Sequence, residues 1–210
     1  MKYQPKTKEA LRHLISSGCC LNKIDTSCIT DMSELFFFDN RKDFKGLETW
    51  DTSNVLNMAR MFYGCRKFTG KEIENWNVAK VHNMSEMFEM TSFNADLSKW
   101  NVENVQSLHH MFSDTPFDGQ GIENWKLPRI SSLHAVFMDC RKFNADLSAW
   151  DIKYIKSLQS TFSGCLSFEG KGLEKWDVSN VLGARGVFDE CSKINQSLRA
   201  DWISRGLDVE

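Results

Sequence analysis

Long apolar runs are missing from this 210-residue sequence. The longest, such as Leu35 to Phe38, fall far short of the roughly 18 to 20 residues a spanning helix needs, so membrane insertion is not expected. Charge of one sign is missing as well: 26 Lys and Arg face 28 Asp and Glu, for a net charge of −2. Such a field does not gather a polyanion, which argues against nucleic acid as the partner. The opening residues 1–17 are polar and amphipathic and lack the apolar run of a secretory leader, so the sequence as written predicts a cytoplasmic location. The seven cysteines form no C-x-x-C pair and show no metal-ligand spacing, which favours reduced thiols and predicts no metal and no cofactor. Nucleophile elbows, phosphate loops and H-E-x-x-H helices are also absent, so no catalytic residue is assigned and a non-enzymatic protein is expected.

What is present is a repeat. The seven tryptophans, Trp50, Trp76, Trp100, Trp125, Trp150, Trp176 and Trp202, follow one another at 24 to 26 residues, and Ile24 extends the register backwards. Phe36, Phe62, Phe88, Phe112, Phe137, Phe162 and Phe188 lie twelve residues after these positions. Another phenylalanine ladder runs through Phe44, Phe68, Phe93, Phe117, Phe143 and Phe168 and closes at Ile194, so the two ladders take thirteen of the fifteen phenylalanines. Within a unit, the order Leu97, Trp100, Val102, Val105 predicts a short strand and turn. The spacing of Val105, Leu108, Met111 and Phe112 predicts about two turns of helix, followed by a loop. Four large side chains per unit yield at most roughly 12 kcal/mol, against roughly 25 kcal/mol for ordering about 25 backbones. A unit alone cannot fold, and stacked units complete one another's burial.

The expected fold is therefore an α/β repeat solenoid, leucine-rich-repeat-like, with about seven strand, turn and short-helix units and a narrow strand side that bends the stack into an arc. Residues 1–23 read as an N-terminal cap with a helix over Thr7 to Ser17. Residues 24–201 read as the repeat array, and residues 202–210 as a charged C-terminal cap strand. The ladder position of Cys65, Cys140, Cys165 and Cys191 calls for a small buried hydrophobe, whereas Cys19, Cys20 and Cys28 near the cap are the better candidates for accessible thiols. His109 and His134 share a register, with His110 beside the first, on what reads as a solvated face.

The segments W-D-T-S-N-V (50–55), W-N-V-A-K-V (76–81), W-N-V-E-N-V (100–105) and W-D-V-S-N-V (176–181) lead toward M-x-x-M-F or variants of it. With the linkers F-N-A-D-L-S at 93–98 and 143–148, they resemble the BspA-type leucine-rich-repeat-like family of mycoplasmas and other host-associated bacteria. The resemblance covers about residues 24–202. It implies a solenoid that acts in adhesion or protein recognition, often at the bacterial surface or secreted. Two segments depart from the pattern, W-K-L-P-R-I (125–130) and W-D-I-K-Y-I (150–155), and four linkers carry glycine instead of F-N-x-D-L-S.

In such a repeat the residues flanking each Trp form a concave surface. Its centre, Lys126, Arg129, Lys153, Tyr154 and Lys156, is locally basic and carries one aromatic, a composition that suits an interface anchor. Asn101 and Asp151, each directly after a Trp, have two readings: a bond to the turn backbone, or projection toward a ligand. The sequence thus predicts a monomer that binds another protein, host-derived in the family's setting, through Asn101, Lys126, Arg129, Asp151, Lys153, Tyr154 and Lys156. A carbohydrate or matrix-binding adhesin is the alternative, and an enzyme without a recognisable motif the remote one.

Overall fold

The computed structural model describes residues 2–209; Met1 and Glu210, named above as part of the leader reading and the terminal charge, lie outside the described residues. Two nine-residue helices stand at the ends, α1 (Lys8–Ser16) and α2 (Gln196–Ser204). Between them the chain makes seven coils, starting at Ile24, Trp50, Trp76, Trp100, Trp125, Trp150 and Trp176. The 3-10 helices among the described residues are single turns of three residues, for example Leu47–Thr49 and Leu173–Lys175.

This overturns the α/β solenoid. Among the described residues there is no strand and no sheet, only isolated parallel bridges such as Asp31 to Asn57, Asn57 to Asn83 and Asn83 to Ser107. No coil contains the two-turn helix either, and the segment expected as a cap strand from Trp202 on starts as the last turn of helix α2 and continues as turn and irregular chain through residue 209. The asymmetry of narrow strand and wide helix that would bend the stack is therefore absent. The physical reason lies in where the backbone donors go. In coil two the N–H groups of Met58, Arg60, Phe62 and Gly64 donate to Asn83, Ser85, Met87 and Glu89 of coil three at 2.8–3.0 Å. The alternating N–H groups of Met61, Tyr63 and Cys65 turn back three residues, to Met58, Arg60 and Phe62. An α-helix would direct these donors along its own axis and leave neighbouring coils unlinked. A strand would leave the i to i+3 turns unmade.

Each coil reconciles the two demands with left-handed residues four apart, such as Glu34 and Phe38, Arg60 and Gly64, or His110 and Asp114. They occupy the third position of tight turns, where a positive φ is required. The resulting chain still buries residues at i, i+3, i+4 and i+7, as Met58, Met61, Phe62 and Cys65 show, which imitates a helical face.

The large side chains fill the centre of every coil. Phe36, Phe62, Phe88, Phe112, Phe137, Phe162 and Phe188 form an unbroken column with ring centroids 5.3–6.2 Å apart. The indole N–H of Trp50, Trp76, Trp100, Trp150 and Trp176 donates to the carbonyl of Leu21, Leu47, Ile73, Ile122 and Leu147, 27 to 29 residues earlier and beside the previous register position, at 2.8–3.2 Å. Tryptophan thus closes the turn at that position while filling the core. The thiols of Cys65, Cys140, Cys165 and Cys191 likewise donate backwards, to the carbonyls of Phe36, Phe112, Phe137 and Phe162. Burial pushes the Cys65, Cys140 and Cys191 thiols up to about 12, and Cys165 is also raised well above its ordinary value. All seven cysteines are free; Cys20 and Cys28 are exposed and Cys19 is half-buried.

The ends are closed by the helices. Thr7 caps α1 by accepting from Ala10, and Leu11 and Ile15 of α1 enter the core. Lys8 and Arg12 of the same helix reach coil one, Lys8 to Asp31 and Arg12 to the carbonyl of Glu34. At the other end Trp202 of α2 stacks on Trp176 at 6.2 Å and against Phe188 at 5.0 Å.

Candidate functional site

The residue after each Trp is a turn builder. Asp51, Asn77, Asn101, Asp151 and Asp177 each accept, through Oδ1, the N–H two residues on, at 2.9–3.1 Å. The Ser53 and Ser179 hydroxyls, and then this backbone bond, hold the Asp51 and Asp177 carboxyls below their ordinary range. Asn54, Asn104 and Asn180, three residues further on, tie each turn to the coil before by donating to the carbonyls of Ser27, Ala79 and Lys153. The sequence departures remove both devices. Lys126 offers no acceptor and Pro128 no N–H, so coil five makes no such turn bond, and Arg129 and Tyr154 do not make the asparagine tie.

Coil five is also where the ladder opens. Other junctions have four forward bonds, such as those of Met84, Glu86, Phe88 and Met90, and at least one return bond. Between coils four and five only His110, Phe112 and Asp114 donate forward, and the N–H groups of Leu108 and Ser131 make no bond among the described residues. The bridge series stops at Ser107 and resumes at Ser132. The indole N–H of Trp125 is buried without a partner, alone among the five indoles from Trp50 to Trp150. Local sequence and ladder fail at the same place, which makes this seam the least regular junction of the stack.

Two adjoining depressions flank the seam on the face of the turns. The larger, about 500 Å³, is lined by Glu103, Lys126, Leu127, Pro128, Ala149, Asp151 and Tyr154. The smaller, about 230 Å³, shares Glu103 and Lys126 and adds Asn101, Asn124 and the edges of Trp100 and Trp125. Of the residues singled out in the sequence, Asn101, Lys126, Asp151 and Tyr154 are brought together here. Arg129, Lys153 and Lys156 are exposed but line neither depression, although the Lys153 ammonium lies 5.4 Å from the Tyr154 ring. Glu103, which sequence reasoning left out, stands between the two depressions and makes the groove mixed in charge. Tyr154 is 53% exposed and gives it an aromatic wall.

Asn101 and Asp151 each commit one oxygen to the turn, so they shape the rim and keep one further polar atom for a ligand. Glycine explains the variant linkers: Gly121 and Gly172, both at positive φ, lie so close to the backbone at Ser98 and Ser148 that a Cβ would collide. The histidines on the opposite row form a cluster across the seam. His110 and His134 ring centroids are 5.1 Å apart and those of His109 and His134 5.9 Å, and all three residues are half-buried instead of solvated. Burial, then His134, lowers the pKa of His109 and His110. Among the described residues no group of three His, Cys, Asp or Glu is placed to hold a metal ion, and no helix is long and apolar enough to cross a membrane.

The sequence as a whole matches one family twice, over residues 8–118 and 114–208, under the description Mycoplasma protein of unknown function, DUF285. The chain belongs to the DUF285 family. The two matches overlap at residues 114–118, late in coil four, so the seam follows directly on the boundary between the two copies. Neither the curated proteins nor the solved structures contain a match to this DUF285 chain.

Proposed function

We propose that the protein is a non-enzymatic protein-interaction module of the BspA-like kind, which holds a segment of a partner protein in the groove across coils four to six. The observation that carries this reading is the coincidence of three features at one place. The turn motif is replaced, the backbone ladder is interrupted, and a half-exposed tyrosine stands over a groove with Glu103, Lys126 and Asp151 at its rim. Tyrosine beside charged groups of both signs suits recognition of a polypeptide, where an aromatic anchor supplies area and the rim charges set register. Unlike most turn residues elsewhere, Lys126, Pro128, Arg129 and Tyr154 give up local hydrogen bonds and so free this part of the surface from structural duty. For a family of host-associated bacteria, a host protein is the partner this reading favours.

The test compares the wild-type chain with Tyr154→Ala and with the rim charge reversals Glu103→Lys and Lys126→Glu in a pull-down from host-cell lysate, each bound set read by mass spectrometry. The reading expects one partner to be lost with Tyr154→Ala and reduced with the charge reversals, while thermal stability stays unchanged. Recovery of the same proteins by all variants would overturn it.

A further inference from the structure

The two phenylalanines outside the ladders, Phe37 and Phe38, are 44% and 49% exposed on the row opposite the groove. They form a surface cluster with Tyr63: ring centroids are 4.9 Å apart for Phe37 and Phe38, 5.1 Å for Phe37 and Tyr63, and 5.3 Å for Phe38 and Tyr63. Phe38 has φ of 51°, a conformation that bulky residues avoid; the same register in other coils holds Gly64, Met90, Asp114, Asp139, Gly164 and Glu190. Its ring lies over Gly64, where a side chain would displace it. A ring kept half in water at a backbone position better served by glycine is not explained by folding.

The next residue in register beyond the cluster is acidic. Gly64 donates to the carbonyl of Glu89 at 2.8 Å, so Glu89 follows Tyr63 in register. Its side chain is 17% exposed, and the nearest group able to carry positive charge is His110 Nδ1 at 4.0 Å. Burial and Glu86 push the Glu89 carboxyl up to about 7, whereas burial and His134 push His110 down, so His110 does not supply a steady counter-charge. Arg60 is already held by Glu86 in a two-pronged pair at 2.8 and 2.9 Å, with Glu34 at 3.9 Å on its other side. The patch therefore offers aromatic faces next to a carboxylate that has no cation of its own.

We infer that Phe37, Phe38, Tyr63 and Glu89 form a second contact surface, which takes an arginine side chain flanked by an apolar residue from a partner polypeptide. A guanidinium stacks on aromatic faces and pairs with a carboxylate at the same time, which an ammonium does less well. The inference is independent of the groove, since the two surfaces share no residue.

The probe is a fluorescein-labelled peptide of alternating tryptophan and arginine, set against its twin with citrulline in place of arginine, and binding is read by fluorescence anisotropy. The arginine peptide is expected to bind at least about tenfold more tightly than the citrulline peptide. Phe38→Gly and Glu89→Gln are each expected to weaken it about tenfold. Both substitutions relieve a local cost, a positive φ in one case and a buried charge in the other, so melting temperatures should hold or rise, and lost binding would not mean lost folding. Tyr154→Ala, in the groove, should leave the peptide affinity unchanged. The assignment is overturned if the arginine peptide fails to bind at millimolar concentration, if citrulline binds equally well, or if either variant binds like wild type.

Discussion

Two junctions of the same stack behave differently. Between coils two and three, four forward bonds, a return bond, the Asn57 to Asn83 bridge and the Trp76 indole bond all form. Between coils four and five, three forward bonds remain and Asn144 still donates back to Asp118, but the return bond beside the bridge, the bridge itself and the indole bond are gone. The phenylalanine column nevertheless crosses both without change, at 6.1 Å for Phe62 to Phe88 and 5.7 Å for Phe112 to Phe137. Packing of the core and pairing of the backbone are therefore separable here, and the stack tolerates the loss of pairing where the apolar column stays intact.

The comparison can be broken most severely through the column. Phe62→Ala and Phe112→Ala should each lower stability by about 3–5 kcal/mol in chemical denaturation, because both rings are fully buried. A much milder loss at Phe112 would show that packing, too, fails at the seam. A smaller effect separates the indoles. Trp76→Phe gives up a hydrogen bond and should cost about 1 kcal/mol more than Trp125→Phe, which removes the same volume but only an unpartnered donor. Equal losses would mean that the Trp125 donor is satisfied.

The smallest effect is the dependence on pH, since opposing groups titrate in coils three and four beside the seam. Glu89, raised in the folded chain to about 7, binds protons more readily folded than unfolded, so its contribution rises as pH falls from about 7 toward its unfolded value. His109 and His110 are lowered, so their contribution is present above their unfolded value, about 6.5, and is lost as pH falls from there through their lower folded values. Melting temperature compared between wild type and Glu89→Gln should show the wild type gaining on the variant as pH drops from 7.5 to about 5. A constant difference would refute the buried charge.

Much of the core was legible in the sequence and little of the backbone. Spacing of Trp and Phe identified which side chains are stacked, because burial leaves its mark on residue type. The strand and helix assignments failed for a definite reason: turns with left-handed residues at Arg60 and Gly64 bury Met58, Met61, Phe62 and Cys65 in the order a helix would. Arginine, glutamate and histidine fill many of those left-handed positions, and none of them signals positive φ as glycine does. Hydrogen bonds between coils use main-chain atoms and leave no trace in composition. At the groove, Lys126 and Tyr154 stood out as departures from a motif, and Asp151 as the residue directly after a Trp. Glu103 did not, because it lies inside a unit that otherwise follows the pattern. Phe37 and Phe38 were visible only as the pair outside the ladders.

One property follows from the direction of the ladder. Nearly every forward bond points its N–H toward the higher-numbered coil, and the fewer return bonds offset only part of that alignment. Peptide dipoles of about 3.5 D arranged head to tail add up, as they do along a helix. The stack is thus electrically polar from end to end, with a partial negative pole at coil one, and it is there that α1 brings the cations Lys8 and Arg12.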